Sequence, residues 1–185
     1  KSGSWKRYTG HEIEGRTIGI IGLGAIGKEL AKKSNALGMK VLAFDLFKNE
    51  EFLKQNPYVE FLSDLDGIFA QADIISMHVP HTPQTEFLIN KEVVQNKLKK
   101  QPILINTSRG MLVDTDAVIE GLKSGNIRGY LADVLAIEPI SEDEKLKGVD
   151  NVIITPHVGS RTYESVVKQG TMAVENLIRL ISSKE

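Results

Sequence analysis

The sequence contains no cysteine, which excludes disulfide bonds, thiolate catalysis and sulfur-ligated metal sites from this chain. It also has little excess charge. The formal net charge is −1, so neither nucleic acid nor an anionic membrane is an expected partner. Charged or polar residues interrupt every apolar run before it reaches the length of a membrane span. With no signal-peptide pattern in residues 1–6, these absences predict a cytoplasmic protein.

What the chain does contain is an ordinary globular composition. Of its 185 residues, 41% are hydrophobic and 25% are charged, which is enough for one sizeable core. Residues 1–16 are polar and contain glycine, and no Met opens the chain, so we interpret them as a linker or arm of a longer protein. We predict one domain over residues 17–185.

Short apolar runs alternate with stretches of helical spacing along most of the chain. Strands are predicted at 17–21, 41–44, 59–61, 73–78, 103–106, 129–133 and 151–154. Helices are predicted at 25–37, 64–70, 91–98, 114–123 and 162–182. This alternation predicts an α/β fold with a doubly wound parallel sheet, covered by helices on both faces. The nearly continuous apolar strands agree, because a strand buried on both faces has no polar side.

Between the first predicted strand and helix lies the run Gly22-Leu23-Gly24-Ala25-Ile26-Gly27. In a dinucleotide site the first glycine permits a tight turn, the second a close approach of the pyrophosphate, and the third close helix packing. The helix N-terminus then offers unpaired N–H groups to the phosphates. Asp45 ends the second predicted strand eighteen residues later, where a carboxylate accepts ribose hydroxyls and repels a 2′-phosphate. The alternative is a turn with chance glycines and a surface aspartate.

Polar residues follow most of the predicted strands at the point where each strand ends. Open α/β sheets bind ligands at this edge. The segments are Asp45, His78-Val79-Pro80, Asn106-Thr107-Ser108-Arg109-Gly110, Asp133 and Thr155-Pro156-His157.

Three of the residues in or near these segments form a plausible catalytic group. Arg109 suits bidentate binding of a carboxylate. Next to Glu138, the protonated form of His157 would be favoured, so that it could act as a general acid near neutral pH. Together with a nicotinamide, this trio can reduce a 2-keto acid. Taken singly, each residue has a simpler interpretation as a solvated loop residue, and the three gain weight only as a set.

These segments lead to a family resemblance that covers nearly the whole chain, from about Trp5 onward. The chain resembles the nucleotide-binding domain of the D-isomer-specific 2-hydroxyacid dehydrogenases. The matching stretches are GRTIGIIGLG at 15–24, HVPHTP at 78–83, INTSRGMLVD at 105–114, ADVLAIEP at 132–139 and TPHVGS at 155–160. The resemblance implies a Rossmann-type single nucleotide-binding domain that binds NAD. It also implies a small 2-hydroxy or 2-keto acid substrate, of the 3-phosphoglycerate or the glyoxylate/hydroxypyruvate class.

The resemblance assigns roles to individual residues. The catalytic Arg, Glu and His of the family fall on Arg109, Glu138 and His157, its carboxamide-binding Asp on Asp133, and its ribose-binding acid on Asp45. The other expected cofactor contacts are Gly22, Gly24, Ala25, Ile26, Gly27, His78, Val79, Pro80, Thr82, Thr107, Ser108 and Gly159, with Arg109 and His157 shared between substrate and cofactor. The family's separate substrate domain is absent from this sequence, so the chain alone is expected to be inactive.

Three positions depart from the family pattern. Ala25 stands where many members carry an arginine, His81 replaces a more usual leucine, and Leu135 replaces a common phenylalanine. His78 and His81 have a ligand-like H-x-x-H spacing, but no third ligand is evident, so no metal is expected.

Two questions remain open on the sequence. One concerns function, because relatives of this family act as NADH-sensing co-regulators, and a cofactor-binding module without useful turnover is a further alternative. The other concerns assembly. Trp5 and Tyr8 lie in a polar arm with little local core to join, which together with the resemblance predicts a homodimer through this domain.

Overall fold

The computed structural model describes residue 7 and residues 9–182, which form a seven-stranded, all-parallel sheet. The strands are β1 (Thr17–Ile21), β2 (Lys40–Phe44), β3 (Val59–Phe61), β4 (Ile74–Met77), β5 (Ile103–Asn106), β6 (Gly129–Ala132) and β7 (Val152–Ile154). The α-helices are α1 (Ala25–Ala36), α2 (Glu50–Gln55), α3 (Leu65–Gln71), α4 (Thr115–Ser124) and α5 (Tyr163–Ser182). The strand order is β3-β2-β1-β4-β5-β6-β7, which confirms the predicted doubly wound α/β fold.

The central strands bury side chains on both faces of the sheet. Ile18 and Ile20 of β1 pack into one hydrophobic cluster, which includes Ala31 of α1. Ile21 belongs to a second cluster, together with Ile68 of α3. Because successive side chains of a strand point to opposite faces, a strand that is covered on both faces is apolar at nearly every position. This is the physical origin of the continuous apolar runs in the sequence.

Two local elements differ from the sequence prediction. Helix α2 was not predicted, because its six residues bury only Phe52 and show no apolar period. Asn49 caps this helix by accepting a hydrogen bond from the N–H of Phe52 at 2.9 Å. The predicted helix at 91–98 is instead π-helical over Val93–Lys97, and the N–H of Leu98 donates to the carbonyl of Val93. The wider turn of a π-helix aligns the buried residues Val93 and Leu98, which are five positions apart.

The C-terminal helix is present as predicted but packs differently from the other helices. None of the α5 residues is buried, and apolar side chains such as Leu177 and Ile181 are 58% and 62% exposed. Within residues 9–182, no helix is long and apolar enough to traverse a lipid bilayer. Trp5 and Tyr8, on which part of the homodimer prediction depends, lie outside the described residues.

Candidate active site

The strand order brings the predicted site residues to one edge of the sheet. The chain runs outward from β1 through β2 to β3, then returns to place β4 on the other side of β1. This reversal opens a crevice at the carboxyl ends of β1 and β4, where open α/β sheets bind ligands. The segments that follow β1, β2, β4, β5, β6 and β7 therefore meet along this edge.

The glycine turn after β1 is tight because of contacts within the protein. Gly22 has a φ of +98°, and a Cβ there would lie 2.6 Å from the carbonyl oxygen of His78. A Cβ at Gly27 would lie 2.0 Å from the carbonyl oxygen of Gly22. The first and third glycines are thus required by the turn and by the packing of α1.

Gly24 differs, because a Cβ there would meet no protein atom within 4 Å. It is the N-cap of α1, where no side chain caps the helix and no acidic residue lies in the first turn. The N–H groups at this end, including those of Ala25 and Ile26, therefore face open space with a positive helix dipole behind them. This arrangement fits a pyrophosphate.

Asp45 lies directly beside this turn. Its carboxylate accepts the N–H of Leu23 at 2.7 Å and the N–H of Phe47 at 2.9 Å, which ties the end of β2 to the glycine turn. The two oxygens retain lone pairs that can accept further donors. A cavity of about 300 Å³ opens here, and its lining is Leu23, Gly24, Lys28, Asp45, Phe47, Lys48 and Asn49. A carboxylate in this cavity suits a ribose and opposes a 2′-phosphate.

The predicted catalytic trio shares a second cavity, of about 380 Å³, lined by Arg109, Glu138 and His157 with neighbouring residues. Nδ1 of His157 lies 2.8 Å from Oε2 of Glu138. The other carboxylate oxygen of Glu138 accepts the N–H of Leu135 at 2.9 Å. These two hydrogen bonds, first that with His157, hold the pKa of Glu138 below its usual range. Glu138 is therefore ionised at neutral pH and bonded to the imidazole.

Arg109 enters this cavity from the loop after β5. Its side chain is exposed, and Nη1 donates to the carbonyl of Ser108 at 2.6 Å. The Ser108 hydroxyl in turn donates to the carbonyl of Val79, which joins this loop to the segment after β4. The guanidinium keeps donors free to bind an anionic group in the cavity.

Asp133 is buried and holds the segment that carries His157. Its carboxylate accepts the Thr155 hydroxyl and the N–H groups of Val158 and Gly159, the last two at 2.9 and 2.8 Å. Burial raises the pKa of Asp133, but these hydrogen bonds outweigh it and leave the pKa lowered. His157 lies inside this clamped segment with a φ of +52°. Such a backbone costs about 1–3 kcal/mol and persists only where its surroundings impose it.

The segment after β4 contributes the remaining predicted cofactor residues. The side chain of Val79 lies 3.0 Å from the position of a Cβ on Gly22, so it borders the glycine turn. Nε2 of His78 lies 2.9 Å from the Ser76 hydroxyl, and burial lowers the pKa of His78. His81 instead lies 3.7 Å from Glu86, so the two histidines of the H-x-x-H spacing have separate partners. Pro80, Thr82, Thr107 and Gly159 lie on the segments after β4, β5 and β7 along the same edge.

Two contributors to the site were not given a role by sequence reasoning. Thr155 bonds the Asp133 carboxylate, and Asn106 forms hydrogen bonds with Ser108 and Arg109. An asparagine at the end of an otherwise apolar strand is a sequence feature that could have pointed to Asn106. No comparable signal marks Thr155.

Comparison with known proteins decides the family. Residues 1–159 match the family described as D-isomer specific 2-hydroxyacid dehydrogenase, NAD binding domain. The chain belongs to this family. The predicted family and the predicted cofactor, NAD, are thereby confirmed.

Similar 2-hydroxyacid dehydrogenases come from several organisms. The chain is 40% identical to glyoxylate reductase from Thermofilum pendens over 182 residues, covering 97% of this chain and 53% of the relative. It is 38% identical to D-3-phosphoglycerate dehydrogenase from Methanocaldococcus jannaschii over 183 residues, covering 98% and 34%. The structure of D-lactate dehydrogenase with NAD+ from Lactobacillus jensenii aligns with a TM-score of 0.85 at 35% identity, covering 98% and 58%. The chain thus spans about half or less of these relatives.

Proposed function

We propose that this chain is the NAD-binding part of a dehydrogenase that transfers a hydride between NAD(H) and a small D-2-hydroxy or 2-keto acid. The observation that carries the proposal is the shared cavity of Arg109, Glu138 and His157. An arginine, a hydrogen-bonded carboxylate–imidazole pair and a dinucleotide turn at one sheet edge supply each group that the reaction needs. Residues 17–185 make up this domain, and residues 1–16 form the linker.

The proposed roles follow from the chemistry of each side chain. Arg109 binds the substrate carboxylate and polarises the ketone. A nicotinamide bound beside these residues would supply the hydride chemistry at the substrate carbon. His157 donates a proton to the ketone oxygen as general acid, and Glu138 orients the imidazole through their hydrogen bond. In the oxidative direction His157 accepts that proton back.

The cofactor contacts are proposed along the same edge. The glycine turn and the first turn of α1 bind the pyrophosphate, Asp45 binds the adenosine ribose, and Asp133 accepts the carboxamide. His78, Val79, Pro80, Thr82, Thr107, Ser108 and Gly159 line the path between these two ends. The helix terminus without a side-chain cap and the open space beside Gly24 support this assignment.

The substrate class is tested with the full-length protein that contains this chain. We expect NADH oxidation with glyoxylate, hydroxypyruvate or 3-phosphohydroxypyruvate. The first two are named in reductases similar to this chain, and the third is the 2-keto acid that corresponds to 3-phosphoglycerate, which is named in a similar dehydrogenase. The alternative is an NADH-sensing co-regulator or a binding module. That alternative would be favoured by NADH-dependent capture of a partner protein together with no turnover of these three acids. The hydrogen-bonded Glu138–His157 pair counts against a module that only binds the cofactor, because binding alone does not require it.

NADH is expected to bind more tightly than NADPH. The Asp45 carboxylate faces the proposed ribose cavity, and a 2′-phosphate there would meet its negative charge. Lys48 lines the same cavity and moderates the difference. Fluorescence titration of this chain with both reduced cofactors measures the ratio, and Asp45→Ser should reduce it. Equal affinity in the unmodified chain would contradict the proposed place of Asp45.

We also propose that the domain forms a homodimer and that the protein is cytoplasmic. The exposed apolar side chains of α5 offer surface for association. Sedimentation equilibrium of residues 1–185 is expected to give twice the monomer mass at micromolar concentration. A monomer mass up to high micromolar concentration would argue against the dimer.

A further inference from the structure

A buried amide stands at the start of the loop that carries Arg109. Asn106 is the last residue of β5, between Met77 of β4 and Ala132 of β6, and it is 0% exposed. Burying a polar side chain is unfavourable unless its donors and acceptors are paired. The partners of Asn106 therefore indicate what its burial achieves.

The side chain of Asn106 pairs with the backbone of the loop that follows. Oδ1 accepts the N–H of Ser108 at 3.1 Å, and Nδ2 donates to the carbonyl of Arg109 at 2.9 Å. The same Arg109 carbonyl accepts the N–H of Leu112 at 3.2 Å, where a short 3-10 turn begins. Because two donors bind this one carbonyl, the peptide bond between Arg109 and Gly110 is held in place.

Tyr130 lies on β6, the strand next to Asn106. The residue is 2% exposed. Burial raises the pKa of Tyr130 to about 12, against the opposing effect of the Asn106 side chain, so the hydroxyl is neutral at physiological pH. The Asn106 amide thus forms its hydrogen bonds with its own loop, beside a neutral phenol.

The loop shaped by Asn106 contacts the segments on both sides of it. The Ser108 hydroxyl donates to the carbonyl of Val79 after β4. A Cβ on Gly110 would lie 2.0 Å from the carbonyl carbon of Leu135 after β6, so only glycine permits this approach. The N–H of Leu135 in turn donates to Glu138. The position of the loop therefore sets the place of Arg109 relative to the Glu138–His157 pair.

We infer that Asn106 is a positioning residue for Arg109, holding the loop so that the guanidinium enters the cavity it shares with Glu138 and His157. This inference rests on the proposed role of Arg109. Asn106 is not among the residues that line the cavity. It acts through its hydrogen bonds to the backbone of Ser108 and Arg109. A misplacement of about 1 Å can lower a rate by about 10²-fold.

The first test replaces Asn106 in the full-length protein. Asn106→Ala is expected to lower kcat/KM for 2-keto acid reduction by about 10²-fold, with both kcat and KM affected. Asn126→Ala is the matched control, because the Asn126 amide also donates to a backbone carbonyl, that of Val94 at 3.2 Å, away from the cavity. It should change kcat/KM by less than about threefold.

A double-mutant cycle distinguishes positioning from general damage. If Asn106 acts through Arg109, then Asn106→Ala should change kcat/KM by less than about threefold when Arg109 is already alanine. Additive losses would overturn the inference. Full activity of Arg109→Ala would instead overturn the proposed function. A large loss in Arg109→Ala beside normal activity in Asn106→Ala would overturn the positioning role alone.

Asn106→Asp decides the matter if the alanine variant fails to fold. A protonated carboxyl at position 106 can donate a hydrogen bond to the Arg109 carbonyl, as the amide does. An ionised carboxylate has no donor, and its negative oxygen repels the carbonyl oxygen. Burial raises the pKa of such a carboxyl, and the titratable neighbour Tyr130 stays neutral. The ratio of variant to wild-type kcat/KM should therefore rise at least about tenfold from pH 8 to pH 5.5. A flat ratio in the folded variant would overturn the inference.

Discussion

Residues 1–185 alone are expected to bind NADH but to reduce 2-keto acids about 10⁵-fold more slowly than a full-length relative. The glycine turn, Asp45 and Asp133 are all present, so the proposed cofactor contacts are complete. The cavity at Arg109 is open, however, and the chain spans only 53% of the similar glyoxylate reductase from Thermofilum pendens. Alignment of reactants supplies about 7–11 kcal/mol of barrier lowering in a closed site, and a cavity with one wall forfeits most of it. Closure between two domains also requires both of them.

Calorimetry of residues 1–185 with NADH measures cofactor binding. An assay with glyoxylate, hydroxypyruvate and 3-phosphohydroxypyruvate measures turnover. The full-length Thermofilum relative is the positive control. Its own matching segment, expressed alone, is the matched control and should lose turnover to a similar extent. Turnover by residues 1–185 at a rate near that of the full-length relative would show that the chain holds its substrate without a second wall.

Replacing His157 by glutamine in the full-length protein is expected to lower the rate of ketone reduction by about 10²–10⁴-fold. Glutamine cannot transfer a proton to the substrate oxygen, while every other proposed cofactor contact remains. NADH affinity should therefore change far less than kcat. The control is His11→Gln, the same change at an exposed histidine that does not line this cavity. Activity of the His157 variant within a few-fold of wild type would rule out His157 as the proton donor.

Replacing Glu138 by glutamine tests the pairing through pH. The pKa of Glu138 is lowered chiefly by its hydrogen bond with His157, so the carboxylate is ionised across the working range. Glutamine keeps a carbonyl oxygen that can accept the imidazole N–H, but it has no carboxyl group to titrate. Wild-type kcat should therefore fall at low pH as Glu138 becomes protonated, and Glu138→Gln should lack this acid limb. The same acid limb in both proteins would contradict the proposed pairing.

The sequence predicted the sheet well because its signals are local. The central strands are apolar at nearly every position because both of their faces are covered, so each strand end lies within one residue of its prediction. Helix α2 was missed, and the helix predicted at 91–98 is π-helical over Val93–Lys97, since a six-residue helix and a wider turn leave no distinctive period. Here the tertiary core, not local pattern, selects the conformation.

The candidate site likewise has one part that the local sequence predicted and another that depends on tertiary contacts. The glycine turn and its helix are contiguous in sequence, so residue types alone predicted a dinucleotide site there. The catalytic grouping depends on contacts between distant positions. Glu138 and His157 are 19 residues apart, and Asp133 holds backbone groups 25 and 26 residues away. Strand order alone brings these segments together, and only the folded structure could show that Asp133 clamps the histidine segment and that Asn106 shapes the arginine loop.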